Sequence, residues 1–145
     1  MKLNPKNGVD DLIFGMKTKD VELLYGKPNK HFLDEDQNTI YLYDEKKLRL
    51  TFYEDEGFKL GYIITSNPNA TFLDQKIIGA NTKNLVEVFI SKGIKQWEVE
   101  DFDSTENHFN ETNWLTLQSE FETVIRIEIG AIFDDNDEMI FKFKA

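Results

Sequence analysis

The stretch Ile13-Phe14-Gly15-Met16-Lys17-Thr18-Lys19-Asp20-Val21-Glu22-Leu23-Leu24-Tyr25-Gly26-Lys27-Pro28 decides the reading of the fold, because a second stretch 64 residues later follows the same plan. With residues 9–26 laid over 73–90, Asp10 meets Asp74, Ile13 meets Ile77, Gly15 meets Gly79, Thr18 meets Thr82 and Lys19 meets Lys83. In each stretch an apolar pair (Ile13-Phe14, Ile77-Ile78) precedes a glycine. A threonine follows where its hydroxyl can cap the free N–H groups of a first helical turn. Val21, Leu24 and Tyr25 then fall at i, i+3 and i+4, as do Leu85, Val88 and Phe89, the spacing of one apolar stripe on a short helix. Gly26 with Pro28 stops the first helix, and Gly93 the second. The spacing predicts helices starting near Thr18 and Thr82.

Outward from these helices, β-rich runs occupy Thr39–Tyr43, Leu48–Tyr53 and Leu60–Thr65, then Trp114–Leu117, Thr123–Phe133 and Met139–Phe143. Gln96–Phe102 is a candidate for a further strand. Acidic breaks between the runs read as hairpin turns. Leu48, Leu50 and Phe52 alternate with Arg49, Thr51 and Tyr53, and Ile125, Ile127 and Ile129 with Arg126, Glu128 and Gly130, so each strand has one apolar and one wet face. The expected fold is α+β, a tandem repeat of a helical segment followed by an antiparallel β-meander. It forms one domain over residues 1–145, with half-repeats near 8–66 and 72–143. The polar segment Asp101–Thr112 reads as a long loop.

The chain carries 27 acidic against 17 basic residues, a net charge of −10. That balance disfavours nucleic acid, which needs a positive footprint, and anionic membrane surfaces. It suits solubility, or a basic protein partner reached by electrostatic steering. With no cysteine, disulfides, thiolate zinc sites and cysteine nucleophiles are excluded. The segment Met1–Gly8 lacks the apolar run of a signal peptide, and the protein is expected in the cytoplasm.

The opening Ile13–Pro28, with Gly15-Met16, Thr18, Val21, Gly26 and Pro28, resembles that of the β-lactamase-inhibitor-protein-like fold. It is also similar to the opening of outer-membrane assembly lipoproteins of the SmpA/OmlA kind, with one extra residue between Met16 and Thr18. The inhibitor family is a tandem duplication of a helical segment plus an antiparallel sheet. The resemblance implies a bacterial protein that binds other proteins and catalyses nothing.

His31 and His108 lie 77 residues apart without ligand spacing and read as lone exposed side chains. The clusters Asp34-Glu35-Asp36, Glu54-Asp55-Glu56 and 134–138 read as solvated turns; the last lacks the loop glycine and distal glutamate of a calcium loop. No catalytic residue, metal or cofactor is expected. If Leu42, Leu50 and Phe52 face the helices, Tyr41, Tyr43 and Tyr53 face outward, and tyrosine and tryptophan on an open sheet are favoured interface anchors. Tyr41, Tyr43, Tyr53 and Trp114 are therefore the candidate protein-binding residues, with Asp34, Glu35 and Asp36 as rim charges. The expected function is a protein-binding module, an inhibitor or immunity-type protein acting on a basic partner. The alternatives are a carboxylate-dependent hydrolase or divalent-cation binder, and a bacterial adaptor.

Overall fold

A computed structural model describes residues 1–144. Three short strands, β1 (Leu3–Asn4), β2 (Gly8–Val9) and β3 (Leu12–Ile13), form a small sheet ahead of α1 (Thr18–Tyr25). The chain continues through β4 (Lys30–Leu33), β5 (Thr39–Tyr43), β6 (Leu48–Tyr53) and β7 (Lys59–Thr65). The hairpin β8 (Thr71–Phe72) and β9 (Gln75–Lys76) leads into α2 (Thr82–Ser91). Then come β10 (Glu98–Asp101), β11 (Glu106–Asn110), β12 (Leu115–Glu120) and β13 (Thr123–Gly130). The eight longer strands make one antiparallel sheet in the order β10-β11-β12-β13-β7-β6-β5-β4.

One face of this sheet carries the core. Leu48, Leu50 and Phe52 of β6 are buried on it with Leu60 and Ile63 of β7, Leu115 and Leu117 of β12, and Ile127 and Ile129 of β13. Val21 of α1, Leu85, Val86 and Phe89 of α2, and Val9, Leu12, Phe14, Phe72 and Ile77 of the small strands and turns belong to the same cluster. Phe14, Phe52 and Phe89 are among its largest fully buried side chains, each worth about 1.5–3 kcal/mol in area removed from water.

This architecture corrects the expected α+β tandem repeat. Strands predominate, the helices have only 8 and 10 residues, and the boundary between the expected halves is a continuous ladder in which Ile63 pairs with Ile129 and Thr65 with Ile127. The likeness of residues 9–26 to 73–90 is one of local helix-entry chemistry, and such chemistry does not specify a sheet. The threonines are not the caps either. Asn81 accepts from the N–H of Asn84 at 3.0 Å, and Thr82, one residue inside α2, bonds the buried hydroxyl of Ser119. At α1 the carboxylate of Asp20 accepts from the N–H of Lys17 at 2.9 Å.

Three segments differ from the sequence reading. Lys30–Leu33 is a strand, fully exposed at one edge of the sheet. Half of Asp101–Thr112 is the end of β10 and the whole of β11 rather than a loop. Met139–Phe143 is not a strand. It runs back along the body, with the N–H of Ile140 on the carbonyl of Ile132 and that of Phe143 on Phe14. Gly15, at φ 107, makes room there: a β-carbon on it would lie 2.8 Å from Cβ of Phe141.

Candidate functional site

The face of the eight-stranded sheet turned away from the helices is covered only in part, by its own side chains and by Trp114 and Met139, so that Ile40 and Thr51 are buried on it, and its residues follow from the register. One cross-strand row reads, from the β10 edge to the β4 edge, Glu98, Phe109, Thr116, Glu128, Ile64, Arg49, Leu42, Lys30. All eight are half-buried or exposed, whereas residues one step along the inner strands are buried. A second row reads Phe32, Ile40, Thr51, Tyr62, Gly130. The chain has only two arginines, and both, Arg49 and Arg126, line one shallow cavity of about 230 Å³ on this face with Ile64. Carboxylates hold the opposite edge, Glu98 in the first row and Glu100 opposite Asn107. The face is therefore polarised across the strands, acid at β10 and base toward β4.

Trp114 belongs to the acid end. The turn between β11 and β12 is pinned by Asn110, 1% exposed, whose Oδ1 accepts from the backbone and side-chain N–H of Asn113 at 3.0 and 2.9 Å. Its Nδ2 donates to the carbonyl of Gln96 at 2.8 Å. This turn holds Trp114 at φ 48, a left-handed backbone that a bulky residue rarely adopts. The indole is thereby laid on Gly130: a β-carbon there would collide with the indole Cδ1 and come within 2.9 Å of Tyr62. Phe109 and Phe133 meet Trp114 edge-on, with ring centroids 5.2 and 5.5 Å away.

Three adjoining cavities of about 380, 500 and 400 Å³ follow this aromatic line. Their walls include Glu98, Glu100, Glu111 and Asp137 and not one lysine, arginine or histidine. An aromatic floor with acidic walls attracts cations twice over, through the ring quadrupole and through charge.

The other sequence candidates fall elsewhere. Tyr41 and Tyr43 point into the covered face, 9% and 5% exposed, because Tyr41 pairs with Leu50 and Tyr43 with Leu48. It is Leu42, paired with Arg49, that looks outward. Both hydroxyls bind α1: Tyr41 donates to Glu22 at 3.0 Å and Tyr43 to the carbonyl of Gly26 at 2.8 Å. Burial pushes the Tyr43 hydroxyl up to about 12. Tyr53 is on the open face, half-buried, its ring over Gly61 near Met139. The hydroxyl of Tyr62 on the same face donates to Glu128, and burial first, then that bond, raise its pKa.

Asp34 forms a turn. It accepts from the N–H groups of Asp36 and Asn38 at 2.9 and 3.0 Å and from the Asn38 amide at 3.2 Å. Slight desolvation raises its pKa, but these bonds outweigh it and hold the carboxyl below its usual value. Glu35 and Asp36 are exposed beside it. Asp134 repeats the arrangement, accepting from Asn136 and Glu138 at 2.8 and 3.1 Å. Among the described residues no three acidic or histidine side chains are grouped to hold a metal ion, and no helix is long and apolar enough to cross a membrane. His31 is exposed, but His108 is not: it is 9% exposed and its Nδ1 has no hydrogen-bond partner.

Sequence reasoning missed Asn110, Phe109, Phe133 and Gly130. Asn110 carries a turn signal in Asn110-Glu111-Thr112-Asn113 that was absorbed into the supposed loop.

No family model and no characterised protein matches the chain in sequence. Solved structures match in shape. An extracellular protein containing an SCP domain, from Bacillus anthracis, superposes with a TM-score of 0.52 at 9% identity, covering 99% of this chain and 56% of that one. A cysteine-rich secretory protein from Staphylococcus aureus gives 0.47 at 13% identity, over 79% of this chain and 43% of that one. A DUF4309 family protein from Bacillus subtilis gives 0.45 at 12% identity, over 79% and 77%. This chain thus spans little more than half of the first protein, and the likeness is one of fold alone. It corrects the resemblance drawn from Ile13–Pro28: the likeness in fold is to the SCP-domain-containing protein, not to the β-lactamase-inhibitor-protein-like fold.

Proposed function

We propose that this domain is a non-catalytic recognition module that binds a basic protein partner on the acid-walled end of its open sheet face. The observation that carries the reading is the line Phe109–Trp114–Phe133, bordered by Glu98, Glu100, Glu111 and Asp137 without a cation among the lining residues. Trp114 serves as the central anchor, since buried aromatic anchors dominate interface energies. Tyr53 flanks it from the β6 side of the face. The net charge of −10 steers the basic partner in, and screening at high salt slows the encounter. Blocking or escorting a partner, as an inhibitor or cytoplasmic immunity protein does, fits this chemistry.

The test is affinity capture from the native host at low and high salt, using the wild type, Trp114→Ala and Glu111→Lys. A basic protein retained at low salt and lost in both variants supports the site. Equal capture by all three moves the site elsewhere. Turnover of a small molecule by the pure protein, with no protein captured at any salt, defeats the recognition reading.

A further inference from the structure

The two ends of the open face are complementary to each other in charge. The cross-sheet row begins with a carboxylate, Glu98, and ends with a cation, Lys30, and its centre falls between Glu128 on β13 and Ile64 on β7. Consider two copies packed face to face about a two-fold axis that lies between the sheets and parallel to the strands. That operation reverses the order of strands, so β10 of one copy lies over β4 of the other. Glu98 then opposes Lys30, and Phe109 opposes Leu42, in both symmetry-related halves. A two-fold axis perpendicular to the strands would instead set Glu98 on Glu98 and Lys30 on Lys30. The charge pattern selects the first arrangement.

The dimensions suffice. Eight strands about 4.8 Å apart span about 34 Å, and strands of four to eight residues run for about 13–26 Å. The whole face measures about 700 Å² per copy, or about 1,400 Å² in total, against the roughly 1,200–2,000 Å² of stable specific interfaces, and the positions of Ile40, Thr51 and Gly130 within it are already buried in the single chain. Sheets pack face to face about 10 Å apart.

We propose that a second copy of this chain occupies the open face, forming an isologous dimer with Glu98 of each protomer against Lys30 of its partner. The inference goes beyond the recognition reading and does not depend on it. The dimer covers Phe109 and Glu98 of the aromatic trough, so a basic partner competes with it.

The experiment is sedimentation velocity on the pure protein over a concentration series, where a monomer has 17.0 kDa. Concentration-dependent growth toward twice that mass is expected. Glu98→Lys alone and Lys30→Glu alone should each weaken dimerisation by roughly tenfold or more, since each opposes like charges twice. Mixed in equal amounts, the two variants should recover it, because the heterodimer restores both pairs. Both side chains are exposed, and circular dichroism checks that the variants fold. A monomer throughout, or a dimer indifferent to both variants, overturns the proposal. A mixture that fails to recover does so too. The measurement uses no partner, so its outcome stands apart from that of the capture experiment.

Discussion

The indole of Trp114 occupies the space that a side chain at Gly130 would need, its Cδ1 in the path of any β-carbon there. Gly130→Ala is therefore expected to lift the indole off β13 and destabilise the domain by about 1–3 kcal/mol, the usual cost of overpacking. Urea unfolding measures it. The double variant Trp114→Ala/Gly130→Ala should recover part of the loss, and full additivity would show that the two residues are not coupled.

Asn110 holds the same turn from below. Asn110→Ala leaves the carbonyl of Gln96 and the N–H of Asn113 without their side-chain partners, at about 1 kcal/mol for each hydrogen bond lost. The expected result is a clear fall in melting temperature together with loss of the Trp114 near-ultraviolet signal. Asn110→Asp keeps the acceptor for Asn113 and should fall between the wild type and Asn110→Ala.

Tyr43 makes the fold sensitive to alkali. Its folded pKa is raised, chiefly by burial, from 10.0 to about 12, so the neutral form is the one the fold holds. The contribution is complete below pH 10 and disappears as pH rises from there through about 12. Tyr43→Phe removes the bond to Gly26 and lowers stability at neutral pH by about 1 kcal/mol. The variant's stability should then decline less steeply than that of the wild type across the alkaline window. Parallel declines would show that Tyr43 does not titrate on unfolding.

His108 offers a stabilising change. Its buried Nδ1 has no hydrogen-bond partner and sits 3.5 Å from Oε1 of Glu106. His108→Leu replaces the unsatisfied nitrogen with carbon opposite Leu117, and a gain of about 1 kcal/mol is expected. A loss of stability would mean that the ring makes a bond through bound water.

The acidic turns make a prediction about ions. Asp34 and Asp134 have oxygens already engaged by their own backbone N–H groups, so calcium or magnesium should leave the melting temperature unchanged in scanning calorimetry. A rise that vanishes in Asp134→Ala would revive the cation-binding alternative.

Some of this was open to reading from the residues. The runs Thr39–Tyr43 and Leu48–Tyr53 coincide with β5 and β6, and the two helix starts fall where the apolar stripes place them. Trp114 was read as the first residue of a strand, and the structure sets it in the turn just ahead of β12. The face of β5 was not legible: Ile40 and Leu42 are as apolar as Tyr41 and Tyr43, and only the pairing with Leu48 and Leu50 decides which set turns inward. Strand β10 lies inside the candidate strand Gln96–Phe102, but β11 was hidden for the opposite reason. Asn107 and Asn110 carry no apolar alternation, and the ladder from β12 is what extends the strand. The helical openings misled at the level of the whole fold, since caps and stripes describe how a helix begins and are silent about the sheet it meets.

The ladder between β7 and β13 also sets the order in which the protein can assemble. Every other neighbour in the large sheet follows its partner closely in the chain, whereas Ile63 must find Ile129 across 66 residues. Local hairpins close in microseconds, but long loops reach their ends slowly and raise contact order. The middle of the sheet is thus the seam that closes last. Until it does, β7 and β13 are bare edges carrying Ile63, Ile127 and Ile129, and the nascent chain is most exposed to aggregation at the place that is best protected once folding is complete.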